Sequence, residues 1–452
     1  MIFAKQAKLP DGWASDVRIS QSEGRITEVD VDQKPQASDL RVDTLLPALG
    51  NLHSHSFQRA MAGMTEYRMA GKDSFWTWRE LMYRFTEHLT PEQIEAIAAF
   101  TFMEMQEAGY AAVGEFHYLH HQPGGAAYDD LGELSARIAA AAQTTGIGLT
   151  HLPVLYTYGG AGQQALQPGQ ARFGNGVAQF NALVARAKAQ VSQLPADCQV
   201  GIAPHSLRAT SPDDLAAVLT AHPDGPIHTH IAEQPQEVRD IVSWLGARPV
   251  AWLLDHVDVS SRWCLIHATH MTTAETKQMA QSGAVAGLCP VTEANLGDGP
   301  FNGPAYLEAG GAFGVGSDSN VLIGLAEELR MLEYSQRLRD VARNVMVTAE
   351  GSVGEALYTG AARGGAQALG RGAGEIAVGA WADLLAIDST TPALCTLRQD
   401  QLLDGLVFAA KADVVTDVWS AGRHAVAGGR HRDRDAITSA YRAALQTLMA
   451  AV

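Results

Sequence analysis

His53 and His55 stand two residues apart in "LGNLHSHSFQ", at the end of an apolar run. Along an extended chain alternate side chains share a face, so both imidazoles project together beyond the end of a strand. Two convergent imidazoles begin a metal site; taken alone, the pair is equally read as polar loop residues bonded to backbone. Further donors decide between these readings, and they occur at the ends of other apolar runs. His117 and Tyr118 end "YAAVGEFHY", His205 and Arg208 follow "CQVGIAP", and "GPIHTHIAE" carries His228, His230 and Glu233. His267 and His270 lie in "WCLIHATH", and Asp318 in "AFGVGSDSN". Zinc takes imidazole nitrogen and carboxylate oxygen, and a catalytic zinc leaves one position for water. His53, His55, His230 and Asp318 supply three nitrogens and one oxygen. His151, His222, His256, His424 and His431 have no such setting and are read as structural or surface residues.

Bringing these residues to one place requires a frame whose strand ends converge. The runs "LLPALGNLHSH", "YAAVGEFHY", "IGLTHLPVLY", "CQVGIAPHS", "GPIHTHIAE", "WCLIHATH", "AVAGLCP" and "AFGVGSDSN" alternate with helical patterns. Strand-then-helix units repeated eight times predict a (β/α)8 barrel, with its active site at the C-terminal ends of the strands. Helix starts are marked by Thr90-Pro91-Glu92-Gln93, Ser211-Pro212-Asp213-Asp214 and Thr272 with Glu275, each a polar cap before a helical run. Before residue 46 the chain alternates apolar and polar around Glu23-Gly24, a hairpin pattern, and after about Gly374 short alternating strands return before a last amphipathic helix. The division is therefore residues 1–45 as the first part of a small β domain, 46–373 as the barrel, and 374–452 as the return to the β domain plus the C-terminal helix.

The 452 residues suffice for a barrel with an accessory layer, and 46% hydrophobic content can fill its core. A formal net charge of −16 excludes long-range attraction of phosphates and argues against nucleic-acid or acidic-membrane partners. No apolar run is long enough to span a membrane. "MIFAKQAKLPDGW" reads as a strand and turn rather than a leader, so a cytoplasmic location is expected. Cys198, Cys264, Cys289 and Cys395 are widely spaced and form no C-x-x-C pair, which predicts reduced thiols. A homodimer is the expected assembly.

Taken together, the His-x-His, "HTHIAE", "LIHATH", "CPVTEANLGDG", "GVGSDSN" and late "GEIAVGAWADLLAID" resemble the amidohydrolase superfamily in order and approximate spacing, over nearly the whole chain. The resemblance implies a barrel with a β-sandwich domain built from both chain ends. It also implies a divalent ion, foremost Zn2+, on His53, His55, His230 and Asp318, with Glu233, His267 and Asp318 as the catalytic groups. His228 and His270 remain open, as partners orienting a ligand or as structural residues. Two-metal members often carry a modified lysine at the end of the fourth strand; "GIAPHSLRAT" has none, so one ion per chain is expected.

The remaining polar groups at strand ends and in the first long loop are Gln58, Arg79, Tyr118, His205 and Arg208. Two arginines suit carboxylates, which a guanidinium holds bidentately. The segments "HSHSFQRAMAG", "FWTWRELMY", "EFHYLHH" and "APHSLRA" resemble the branch of the superfamily that hydrolyses N-formimino-L-glutamate in histidine degradation. That resemblance implies a small acidic substrate, held by those five residues and deiminated at a linear C=N carbon. The alternatives are a nucleobase or nucleoside deaminase of guanine, cytosine or adenosine type, and, remotely, a metal-free binding protein on the same fold.

Overall fold

The computed structural model describes residues 1–67 and 74–451. Eight parallel strand positions form the central barrel: Leu49–Ser54, Tyr110–His117, Gly148–Leu155, a broken fourth at Gln199–Val200 and Ala203–Pro204, then Ile227–Ile231, Trp263–His267, Val285–Leu288 and Ala312–Val315. The first four and the last four pair continuously within each half. Single bridges close the two seams, Ile202 to Ile227 and Ser206 to His230 on one side, Ser54 to Asp318 on the other. Almost every strand residue is buried, as expected where helices cover the outer face of a parallel sheet.

The helical starts form as their caps dictate. Thr90 accepts the Gln93 N–H and Gln93 reciprocates, opening Pro91–Glu107, while Ser211 and Thr272 cap Pro212–Ala221 and Thr273–Gln281. On Pro91–Glu107 the buried side chains include Ile94, Ile97, Ala98, Thr101, Phe102 and Met105, the spacing of one helical face.

Both chain ends contribute to an eight-stranded outer sheet, in the order Arg430–His431, Arg423–Ala427, Val415–Ser420, Leu384–Ile387, Leu40–Pro47, Ile2–Leu9, Gly12–Ser22, Arg25–Asp30. Its own core includes Ile2, Val17, Ile19, Leu45, Leu384 and Trp419. Glu23 and Gly24 turn its last hairpin with φ of 50° and 79°, the left-handed pair that suits the twist of the flanking strands. The run "LLPALGNLHSH" serves two sheets: Leu40–Pro47 belongs to the outer one and Leu49–Ser54 to the barrel. Continuous burial across both hides that junction from a hydrophobicity reading. A helix at Asp400–Phe408, within the stretch expected to be strands, packs beside Val353–Ala368, and the C-terminal helix Arg434–Met449 packs on Pro91–Glu107, where Phe100 and Tyr441 stack at 3.9 Å.

A buried ion network ties barrel to outer sheet. Arg371 donates to Asp197 at 2.8 Å and to Asp383, while Arg423 donates to both Asp197 oxygens at 2.7 Å.

Candidate metal centre and substrate cavity

The first strand ends by turning His53 and His55 inward, and the turn is held from both sides. Glu115 accepts the Ser56 N–H at 2.8 Å and the Ser56 hydroxyl at 2.6 Å. Asn320 donates to the carbonyls of His55 and Asp318 at 3.1 and 3.0 Å. Gly316 is required where the eighth strand passes the first: a Cβ there would lie 2.7 Å from the His53 backbone. Non-glycine residues at three inward strand ends adopt left-handed φ, namely Ala232 (52°), His267 (68°) and Asp318 (45°). Such backbone strain clusters where side-chain aim matters more than local comfort.

His53, His55, His230 and Asp318 bring one donor atom each within 4.8 Å of one another, and all four are buried. His55 donates its Nδ1–H to the Phe116 carbonyl at 2.8 Å, and His230 its Nδ1–H to the His205 carbonyl at 3.2 Å. Both tautomers are thereby fixed with the Nε2 lone pair facing the cluster. His230 Nε2 lies 3.1 Å from His53 Nε2, and Asp318 Oδ1 lies 3.5 and 3.3 Å from the Nε2 atoms of His53 and His55. Burial pushes all three imidazoles down, His53 to about 3. Burial would raise Asp318, but His53, His55 and His267 outweigh it and hold the carboxylate ionised. Neutral imidazoles and an anionic oxygen facing one point are the donor states a divalent ion needs. The donor set therefore fits a metal ion.

Around it, His267 donates Nδ1–H to Glu293 at 3.2 Å and points Nε2 toward Glu233 (3.9 Å) and Asp318 (3.8 Å). Burial opposes a charged imidazole here, yet Glu233, Glu293 and Asp318 raise His267 to about 10. Burial raises Glu233 against the pull of His267 and Arg208. Glu237, in the first turn of Pro235–Leu245, accepts the N–H groups of Ala232 and Glu233 at 3.1 Å each, fixing the segment that carries the Glu233 side chain.

One cavity, with about 540 Å³ of empty space, is lined by His55, His230, Asp318, Glu233 and His267 together with Gln58, Arg79, Tyr118, His205 and Arg208. His53 lies beneath its floor. Gln58 donates to the Tyr118 hydroxyl at 2.6 Å. Arg79 reaches in from the helix Phe75–Thr86, donating to Tyr156 at 3.1 Å and to Tyr83. Arg208 Nη2 lies 3.3 Å from Glu233 and its Nε 3.6 Å from Glu237. Burial and the two arginines keep His205 neutral. Among the described residues no lysine lines this cavity.

Other strand-end histidines point elsewhere. His117 turns away from the cavity, because Phe116 occupies the inward position of that strand and packs against His53, His55 and His230. His228 donates Nε2–H to the Ala368 carbonyl at 2.8 Å in the barrel floor, and His270 donates Nε2–H to the Asp298 carbonyl at 2.9 Å. His151, His222, His256, His424 and His431 each bond a local partner. Tyr156, Glu237 and Glu293 were not singled out from the sequence. Tyr156 ends the third strand run and obeys the same strand-end rule; Glu293 sits inside "CPVTEANLGDG"; nothing in spacing separates Glu237 from ordinary first-turn helix charge.

Comparison with known proteins places this geometry. Residues 44–425 match the amidohydrolase family, and residues 1–43 match the N-terminal domain of formimidoylglutamate deiminase HutF. Formimidoylglutamate deiminase of Pseudomonas aeruginosa is 49% identical over 97% of each chain, whereas 8-oxoguanine deaminase of the same organism is 28% identical over 95% of this chain and 94% of its own. The crystal structure of an amidohydrolase from Brucella melitensis superposes with a TM-score of 0.96 at 50% identity, covering 99% of both chains. An adenosine deaminase from Xanthomonas campestris with bound zinc shares the fold at a TM-score of 0.81 and 22% identity, over 99% of this chain and 98% of its own.

Proposed function

The chain belongs to the amidohydrolase family, and from that premise we propose that it hydrolyses N-formimino-L-glutamate to N-formyl-L-glutamate and ammonia, a step of histidine degradation. The observation that carries this reading is a single cavity with a three-imidazole, one-carboxylate cluster at its floor and two guanidinium groups in its wall. The floor suits an amidine carbon and the arginines suit the two carboxylates of a glutamate.

His53, His55, His230 and Asp318 would hold one divalent ion, zinc by its preference for this donor set. Such an ion would supply Lewis acidity, making water nucleophilic near neutral pH. Asp318, ionised in its buried setting, takes the proton that water loses as it adds to the formimino carbon. Glu233, aimed into the same cavity from beside Arg208, delivers a proton to the leaving nitrogen, and its carboxylate then takes the proton of the added hydroxyl, so that the formyl carbonyl forms as the C–N bond breaks with departure of ammonia. His267, oriented by Glu293, donates a hydrogen bond toward charge developing at the tetrahedral centre. Arg79 and Arg208 hold the carboxylates, and Gln58, Tyr118 and His205 line the path between.

Incubating the purified chain with N-formimino-L-glutamate and following the products by NMR tests the reading. N-formyl-L-glutamate and ammonia should appear in equal amounts; unreacted substrate, or release of formamide with glutamate, would contradict it.

A further inference from the structure

The two guanidinium groups of the cavity wall differ in what they face. Arg208 faces Glu233 and Glu237, whereas Arg79 has no ion-paired carboxylate among the described residues. Its Nε–H and one Nη2–H go instead to the hydroxyl oxygens of Tyr83 and Tyr156, the latter at 3.1 Å. Neutral acceptors leave the guanidinium charge available to an incoming carboxylate. Tyr156 is engaged from a second side. Gln170 Nε2 donates to the same hydroxyl oxygen at 3.0 Å and to the Gly159 carbonyl at 3.2 Å. That amide cannot be turned round, because its Oε1 accepts the Gln167 N–H at 2.8 Å. A guanidinium only donates, so the Tyr156 oxygen accepts two hydrogen bonds and keeps its own proton to give. Among the described residues no acceptor receives that O–H, although Tyr156 is only 4% exposed and lines the cavity. The ring cannot swing away to find one: it packs edge-on to His205 and Phe173, with centroids 4.6 and 5.7 Å apart.

We infer that Tyr156 is a further substrate-binding residue, which donates its O–H to the carboxylate that Arg79 holds. The inference rests on the proposed function, since it gives one carboxylate of that substrate a second ligand. Arg79 and Gln170 saturate the acceptor side of the hydroxyl, so the group left over is a donor with a fixed position. An acidic end group satisfies both this donor and the guanidinium. An apolar or cationic end group strands the O–H in a buried wall, and a stranded donor costs more than a missing contact gains. Tyr156 thereby helps select acids over formamidines that lack a carboxylate.

The test compares the native chain, Tyr156→Phe, Arg79→Ala and the double variant, each loaded with zinc, by ammonia release from N-formimino-L-glutamate and by calorimetric binding of glutarate. Loss of one hydrogen bond to a charged group should raise KM, and weaken glutarate, by about 10- to 100-fold in Tyr156→Phe, with kcat and zinc content near native. In the Arg79→Ala background the same change should lower kcat/KM again, because the hydroxyl makes its own contact with the carboxylate. Native KM and native glutarate affinity in Tyr156→Phe would overturn the inference. So would an effect that vanishes once Arg79 is gone, the mark of a residue that only orients the guanidinium. Glutarate separates this inference from the reaction: a native chain that binds glutarate yet releases no ammonia defeats the proposed function, and the affinity of Tyr156→Phe still decides the contact.

Discussion

Replacing Arg208 with alanine removes a guanidinium whose Nη2 lies 3.3 Å from Glu233 and whose Nε lies 3.6 Å from Glu237. Its side chain is only 10% exposed, so solvent screens these charges weakly. In the proposed complex the lost partner is a substrate carboxylate, and leaving such a group unpaired costs about 2–5 kcal/mol. That corresponds to a fall in kcat/KM of roughly 30- to 5000-fold for N-formimino-L-glutamate. A second effect accompanies it. Arg208 pulls Glu233 down against burial, so its removal raises Glu233 further and moves that limb of the pH–rate profile to higher pH. Initial rates of ammonia release measured across the neutral range, with zinc content determined on each sample, give both quantities. Arg208→Lys should recover part of the loss, because an ammonium cannot reproduce the planar fork. A formamidine without carboxylates should react slowly and equally with native and variant chains. Native kcat/KM toward N-formimino-L-glutamate in the alanine variant, with an unmoved pH profile, would refute both the carboxylate contact and the coupling to Glu233.

Glu233→Gln should keep the metal yet lose about 10²–10⁴-fold in kcat, the usual contribution of a general acid-base group; metal analysis beside steady-state rates separates this from loss of the centre. Asp197→Asn leaves Arg371 and Arg423 without their shared carboxylate, and breaking a buried pair costs about 3–5 kcal/mol. Burial opposes the Asp197 charge but the two arginines hold its pKa below the ordinary value, so this stability is present above the unfolded-state pKa and lost as pH falls through the folded one. Calorimetry should show a lower Tm for the variant and a weaker acid-side loss than in the native chain. Burial lowers His151 to about 3, so the unfolded chain binds more protons below its own value near 6.5 and stability declines as pH drops, by about 2 kcal/mol at pH 5. Urea unfolding of native protein and His151→Gln at neutral and acidic pH should show a shallower decline in the variant; equal slopes would remove His151 as the source.

Much of the site is legible in the sequence because strand geometry converts spacing into direction. His53 and His55 turn to the metal cluster together through alternation, and His230 joins them through the rule that parallel strands present their C-terminal ends together; Glu233, an odd three residues beyond His230, reaches the cavity where Ala232 breaks the strand with a left-handed φ of 52°. His117 shows the limit of that reasoning: at a strand end, direction depends on which residue takes the inward phase, and Phe116 takes it. The junction at Pro47 and Leu49 is hidden because both sheets bury the run completely. The fourth strand breaks at Gly201, where a Cβ would meet the Pro226 carbonyl at 2.5 Å, a close approach no local pattern announces. Glu237 and Glu293 act through partners distant in sequence, on Arg208 and on His267, so their roles emerge only when the barrel closes.

The most direct measurement compares kcat/KM for ammonia release from N-formimino-L-glutamate, guanine, cytosine and adenosine, using chain stripped with a chelator and then reloaded with one equivalent of zinc. Metal-dependent deimination predicts that the stripped chain is inactive and that reloading restores ammonia release, with N-formimino-L-glutamate preferred over every base. Activity that survives stripping, or a reloaded chain that prefers any of the three ring substrates, would contradict it.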